Sequence, residues 1–546
     1  MSYSIQSESE KILGSLVKDS RLPIPEEARK LADRTKFPKE NVVNDPFMPM
    51  PLKISECSSA LWGLIGTLGN AIQKERYGID QDAIVNTDLA TLYLLSAPIA
   101  TINGVGLREP EVAQRFAQFD LGNMAETYRR LATNVYRTKD GRYFHLHGSL
   151  NATPTLTMLG VPLSKPGLEY DEVVKMHQSE VEKYDSRWLD VTANEKYRQA
   201  GTICYTPEEF LQTEQGQATK DDPIYSIEVE EEQLPATGWP EVPSSDGQGP
   251  LAGIRILDLS RIIAAPSIAR VCAYLGADVM RISTDTQPDW GILLVDGNTG
   301  KRDARLNLKD PKDKDTLEKL ILEADVILEG FRPGTLDRLG FSRAYIHELA
   351  HRRNKGIVHI RENCYGWHGP WQHRSGWQQI SDCVTGAAWL QGKFLGLDEA
   401  VVPPIPNSDY QVGLSGAAAI LNALMLRARN GGSYSVDVSL NQFNLFYLAQ
   451  GQEPEDVQER LKKEYKGLLP LRHYHDMAAG IGILGKALAT LQPKFFLNKD
   501  NFIVIDASKW ESGDKAGVVK PALEMSGSKL AYLRGTCKPG TYEPKW

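Results

Sequence analysis

The chain has 546 residues, with 62 Lys and Arg against 70 Asp and Glu and a formal charge of −8 at pH 7. That length suits about two to four domains with large buried cores, and 41% apolar with 24% charged residues is an ordinary globular balance. The negative balance excludes a global basic field for nucleic acid or an anionic membrane. Six cysteines without a C-x-x-C pair exclude a disulfide scaffold.

Residues 1–48 are polar with scattered proline and read as an N-terminal arm. The first residues carry acids and no apolar core of signal-peptide length. No stretch approaches the roughly 18 apolar residues of a membrane span, and the final EPKW is not a peroxisomal address. A cytoplasmic protein is the expectation. Residues 49–230 form a first half. An acidic, then Pro/Gly/Ser-rich stretch, EVEEEQLPATGWPEVPSSDGQGP, marks a linker at 231–249.

Residues 250–450 open with alternating strands and helices. Ile254–Leu259 is a short apolar strand, Pro266 suits the start of a helix that ends at Gly276, and Asp278–Ile282 is the next strand. Asp325–Leu328 and Gly356–Ile360 follow, each after a helical stretch. This order predicts an α/β fold with a Rossmann-like parallel sheet. A long apolar helix spans about Tyr410–Ala428 and stops at Arg429-Asn-Gly-Gly432, before a strand at Ser433–Val438 and a helix at Asn441–Leu448. Residues 451–546 read as a helical and extended tail.

The chain also repeats itself. Residues 51–95 slide onto 404–448 without a gap, matching Pro51 with Pro404, Ser55 with Ser408, Leu61 with Leu414, Gly63 with Gly416, Arg76 with Arg429, Gly78 with Gly431 and Val85 with Val438. Glu56 falls opposite Asp409. The shared helix, Arg-x-Gly stop and strand point to an internal duplication.

Several short motifs fail on context. His347-Glu-Leu-Ala-His351 has the zinc-protease spacing, but the adjacent Arg352 and Arg353 oppose a divalent cation and no third ligand is spaced to help. Gly480-x-Gly482-x-x-Gly485 lies in a helical stretch rather than a strand-to-helix turn. His145-x-His147 and His473-x-His475 read as strand-face or local patterns. No metal is expected.

Four ordered segments carry more weight: PLAGIRILDLSRIIAAPSIARVCAYLGADVMRI (250–282), NTGKRDARLNLKDP (298–311), ADVILEGFRPGTLDRLGF (324–341) and PPIPNSDYQVGLSGAAAILNALMLRARNGGSYSVDVSL (403–440). Together they resemble the core of the class III CoA-transferases, the CaiB/BaiF-type family of formyl-CoA transferase, carnitine CoA-transferase and α-methylacyl-CoA racemase. The two-half size resembles large fungal members. The resemblance implies that Asp409 is the catalytic carboxylate. Independently, an Asp at a helix start receives N–H groups and the positive dipole end, which favour its ionised form. The implied reaction moves CoA from an acyl-CoA donor to a small carboxylic acid through an acyl–aspartyl anhydride and an aspartyl-CoA thioester. CoA thioesters are substrates, and no bound cofactor is needed.

By the same resemblance CoA is held by Arg261, Ile263 and Ala264; Leu306 and Lys309; Phe331, Arg332 and Arg338; and Ser375, Trp377 and Gln378. The segments Tyr136–Tyr143, Leu156–Pro162 and Tyr205–Phe210 resemble parts of the family's small α+β domain. The first half then reads as a degenerate copy with Glu56 as the relic of Asp409. The interlocked dimer of the family is expected here either from two chains or as a pseudo-dimer within one. Thr284 stands where an Arg is usual, Gly330 replaces an Asn, and the small domain's glycine-rich loop is not evident. A CoA-binding protein without turnover is therefore one alternative. Racemization is the other, weakened by Trp377 at the position of the racemase's general-base His.

Overall fold

The structure, a computed structural model, describes residues 3–230, 234–242, 248–287 and 289–546. The chain begins with α1 (Ile5–Lys18), whose Ser4 forms a capping box with Ser7. Ile5, Ile12, Leu13 and Leu16 line one face and are buried. That face packs on α2 (Ile54–Tyr77), a largely buried helix that ends at Gly78 with φ 68°. Residues expected as an arm are therefore part of the core: the apolar stripe of α1 is set in a polar segment, and only the partner α2 explains its burial. The short strand β1 (Ala83–Val85) follows.

A small α+β unit comes next. Its sheet consists of β2 (Asn134–Arg137), β3 (Tyr143–Leu146) and β4 (Gly201–Ile203), antiparallel in that order. Tyr136, Phe144, Leu146, Val181 and Leu189 form its own core. The chain then enters a larger sheet through β5 (Ser226–Val229), β6 (Arg255–Leu259), the helix α3 (Ala264–Tyr274), β7 (Asp278–Ser283), β8 (Arg302–Arg305), β9 (Val326–Glu329), α4 (Arg343–Arg352) and β10 (Val358–Asn363). It continues through α5 (Gln378–Thr385), α6 (Asn407–Asn430), β11 (Tyr434–Ser439) and α7 (Leu440–Ala449), and near its end β12 (Leu523–Met525) pairs with β1.

The large sheet has seven strands in the order β8-β7-β6-β9-β10-β11-β5. The first six are parallel, and β5 closes one edge antiparallel to β11. Counted from β6, the parallel part has the winding 3-2-1-4-5-6, which places a topological switch between β6 and β9. The expected α/β class and parallel sheet are therefore present. The linker boundary, however, does not separate two bodies: β5 precedes it and β11 follows it. Leu234 within that stretch is buried and accepts a hydrogen bond from Gly432 N at 3.0 Å; residues 231–233 and 243–247 of the expected linker lie outside the described residues.

Helices α3 and α6 pack against the sheet, and α6 packs against both α3 and α2. The α3–α6 approach depends on glycine. A Cβ at Gly413 would lie 2.6 Å from Ser267 Cβ, and one at Gly416 would lie 2.5 Å from Ile268 Cδ1. Helix α6 is long and apolar enough to cross a bilayer by length and composition, yet 89% of its apolar window is buried inside the fold.

The sequence repeat has a structural counterpart. Helices α2 and α6 each have 24 residues, starting at 54 and 407 and ending at 77 and 430. The preceding residues, Lys53 and Pro406, have nearly the same backbone angles (φ −73°, ψ 67° and φ −75°, ψ 61°). In each case a strand follows, β1 or β11. Glu56 and Asp409 both occupy the first helical turn.

Candidate active site

The carboxyl ends of β6, β9 and β10 open into one cavity of about 630 Å³ at the switch point. Three kinds of segment wall it. The loop after β6 supplies Arg261, Ile262 and Ala264. The loop after β9 supplies Gly330, Phe331 and Arg332, with Arg338 beyond. From the small unit come Ser149, Asn151 and Gln199. Leu306 and Lys309 follow β8, Ser375 and Trp377 precede α5, and Asp409 comes from the start of α6. Ten of the sequence-predicted side chains thus share one cavity.

Two do not. Ile263 is the residue before α3, half-buried against the main core, and Ile262 lines the cavity instead. Gln378 is 1% exposed and donates to Asp382 across one turn of α5. Both are one step from a lining residue. The order of residues in a loop or first helical turn does not reveal which of two neighbours faces inward.

Buried ion pairs hold the β6 loop. Lys301 Nζ lies 2.8 Å from Asp258 Oδ2 and donates to Pro266 O at 2.8 Å. Ser260 donates to the same Asp258 carboxylate. Arg281, at the end of β7, pairs with Asp303 at 2.7 Å and Asp289 at 2.6 Å. Removing one member of such a pair leaves an uncompensated buried charge, so these bonds fix geometry more than they add affinity. Gly330 also has a steric reason: a Cβ there would lie 2.5 Å from Ala265 Cβ and 2.9 Å from Ser260 Cβ.

The small unit closes the opposite wall. Arg332 donates to Arg198 O at 2.9 Å and Gln199 Oε1 at 3.2 Å. Trp377 donates to Ser149 Oγ at 3.2 Å, and its ring stacks on His147 with centroids 5.0 Å apart and planes 7° apart. Arg374 is neutralised by Asp190 and Glu195 of the small unit. None of Ser149, Gln199, Arg281, Arg374 or Glu362 was singled out in the sequence. The contacts of Ser149 and Gln199 span far-apart residues, which local patterns do not carry. Lys309, Arg332 and Arg338 are exposed at the mouth, while the acids Asp409 and Glu362 lie among the deeper lining residues.

Asp409 itself differs from the sequence expectation in two ways. It does not cap α6: Pro406 is the cap residue, and Asn407 N bonds Ile405 O at 2.7 Å. Burial, then the Glu362 carboxyl and then Asp382, push its pKa well above the usual carboxylate range. Here desolvation and like charge outweigh the helix dipole. Glu362 is itself pushed up by burial, to about 8.

The rejected motifs fall elsewhere. His347 lies on α4 with Nδ1 3.2 Å from Glu230 Oε1. Gly480, Gly482 and Gly485 lie inside the helix Met477–Leu491, and His473 pairs with Glu399 at 2.9 Å. Among the described residues no group of three or more His, Cys, Asp or Glu is arranged to hold a metal.

The sequence profile of CoA-transferase family III matches residues 251–467. An acetyl-coenzyme A transferase, nodX, of Hypoxylon pulicicidum is 38% identical over 534 residues, covering 94% of this chain and 89% of the relative. The chain belongs to CoA-transferase family III. An acyl-CoA transferase of Gibberella moniliformis is 34% identical, covering 73% of this chain and 71% of the relative. The crystal structure of a CaiB/BaiF family protein from Brucella suis aligns with 54% of this chain and 97% of its own, at 18% identity and a TM-score of 0.39. This CoA-transferase is thus an enzyme that uses CoA thioesters.

Proposed function

We propose that this enzyme transfers CoA from an acyl-CoA donor to a carboxylic acid through covalent attachment at Asp409. The placement of the Asp409 carboxyl in the cavity wall, with basic side chains at the mouth and apolar and aromatic side chains between, carries this reading. Lys309, Arg332 and Arg338 suit the phosphates of CoA. Leu306, Phe331 and Trp377 offer apolar surface for the adenine or pantetheine arm. The thiol end is then directed toward Asp409.

In the first step the Asp409 carboxylate attacks the thioester carbonyl, forming an acyl–aspartyl anhydride and releasing CoA thiolate. The thiolate attacks the aspartyl carbonyl, expelling the acyl group as its carboxylate and leaving an aspartyl-CoA thioester. The acceptor carboxylate attacks that thioester, and the mixed anhydride formed is reopened by the thiolate to give the new acyl-CoA and free Asp409. Because one relative is named for acetyl-coenzyme A, a short acyl-CoA is the first donor to assay.

The test is a screen of acyl-CoA donors against carboxylic acids, read by mass spectrometry. Hydroxylamine with donor present should inactivate the enzyme and mark Asp409. Turnover that persists in Asp409→Asn would overturn the assignment. Trp377, stacked on His147 and bonded to Ser149, leaves no second base at that position for a racemase.

A further inference from the structure

We propose that Glu362 is a second catalytic residue of this site: its neutral carboxyl donates a hydrogen bond to the thioester carbonyl oxygen while Asp409 attacks. This deepens the reading of Asp409 as the acylated group and rests on it. The pleat of β10 sets the geometry. Val358 and Ile360 lie on the Glu362 face and are fully buried in the main core. His359 and Arg361 point the other way, where Arg361 pairs with Asp437 at 2.9 Å. Glu362 continues the apolar row, and at the end of the strand it opens into the cavity that Asp409 also lines.

Neither carboxyl is spent on structure. Among the described residues, no hydrogen bond or ion pair engages the side chain of Glu362 or Asp409. The surrounding charged groups are accounted for. Arg281 is held by Asp289 and Asp303, and Arg374 by Asp190 and Glu195. Asp382 on α5 is engaged by Gln378 and Asn444. Cys364 is buried and its thiol is pushed up, in part by these same two acids. Arg261 is the remaining cation of the inner wall, with Nη2 buried and unpartnered.

Two carboxyls that share one cavity and are both desolvated by burial do not both ionise readily. The working state therefore carries one proton and one negative charge. The reactive tautomer is the one with the charge on Asp409 and the proton on Glu362: in it an Asp409 oxygen bonds to the thioester carbon. The carbonyl oxygen becomes an oxyanion that accepts the Glu362 hydrogen bond. Collapse breaks the C–S bond, the charge leaves on the CoA thiolate, and Glu362 keeps its proton. The same donor serves each later tetrahedral intermediate, so no proton is consumed over the cycle.

The test is kcat at saturating donor and acceptor from pH 6.5 to 9.5, for the wild type, Glu362→Gln and Glu362→Ala, with Asp409→Asn alongside. Wild-type kcat should fall toward the alkaline end of this range, where the pair loses its second proton and ionised Glu362 no longer donates and sets a like charge beside the oxyanion. Glu362→Gln keeps an N–H donor that does not titrate; it should stay within about tenfold of wild type and lose the alkaline decline. Glu362→Ala should lose about 10²-fold in kcat with little change in KM for the donor. A flat wild-type profile would overturn the proposal without any variant. So would an Ala variant of normal kcat, or a folded Gln variant with an unchanged alkaline limb. If Asp409→Asn is inactive while the Glu362 variants behave as wild type, this inference alone fails; if Asp409→Asn turns over, the parent reading fails with it.

Discussion

Helices α2 and α6 share length, starting geometry and an acid in the first turn, yet they end in opposite environments. Asp409 meets a cavity walled by loops from the Rossmann-like sheet. Glu56 is 0% exposed, with Tyr3 Oη 2.6 Å from Glu453 and 3.5 Å from Glu56. Both acids are pushed well up by burial, and each has another carboxyl as the next cause. The pair teaches that a helix start and an acid do not make a site. What separates them is the neighbourhood: three strand ends converge on the cavity that Asp409 lines, whereas Glu56 is fully buried beside Tyr3 of the N-terminal segment.

Substitutions can sharpen that contrast. Asp409→Asn should reduce transfer by about 10³-fold or more, with an unfolding midpoint equal to or above that of wild type, since a buried acid that resists ionisation is removed; assays and thermal melts on one preparation check both. Trp377→Ala removes the stack on His147 and the bond to Ser149. It should raise donor KM about tenfold while Asp409 remains acylable by hydroxylamine trapping. Lys309→Ala and Arg332→Ala, at the exposed mouth, should raise donor KM by about 2–5-fold, less at high salt, with kcat retained.

The smallest effect belongs to Glu56. Glu56→Gln should leave turnover unchanged. Because the folded-state pKa of Glu56 lies above its unfolded value, the protonated form is preferred on folding. Its stabilising contribution is present at low pH and is lost as pH rises from the unfolded value toward the folded one. The Gln variant should therefore gain stability over wild type by an amount that grows with pH. Urea midpoints at pH 5 and pH 8 read this difference. A loss of turnover in Glu56→Gln would mean that the two helix starts are functionally coupled.

Much of the sheet was legible because its buried strands are apolar runs between glycine stops. The strands at 254–259, 278–282 and 325–328 agree with β6, β7 and β9 to within a residue or two. β8 was not legible. Its sequence, Arg-Asp-Ala-Arg, has no apolar pattern, and Asp303 is tolerated in the interior because Arg281 on β7 pairs with it and Ser283, Asn298 and Gly540 N donate to it. The placement of Asp409, Lys309, Arg332 and Arg338 along one cavity was legible from ordered motifs. Glu362 was not, since an acid at the end of an apolar strand reads locally as the strand's exit to solvent.

The sequence by itself determined the parallel α/β core, the repeated helix and the class of chemistry, because these follow from local periodicity and from motifs held in order along the chain. Tertiary structure decided which residues meet: the small unit against Arg332 and Trp377, Tyr3 beside Glu56, and Glu362 in one cavity with Asp409. Those meetings are fixed by packing between residues far apart in the chain, and packing also sets the local dielectric and hence how far each carboxyl is pushed up.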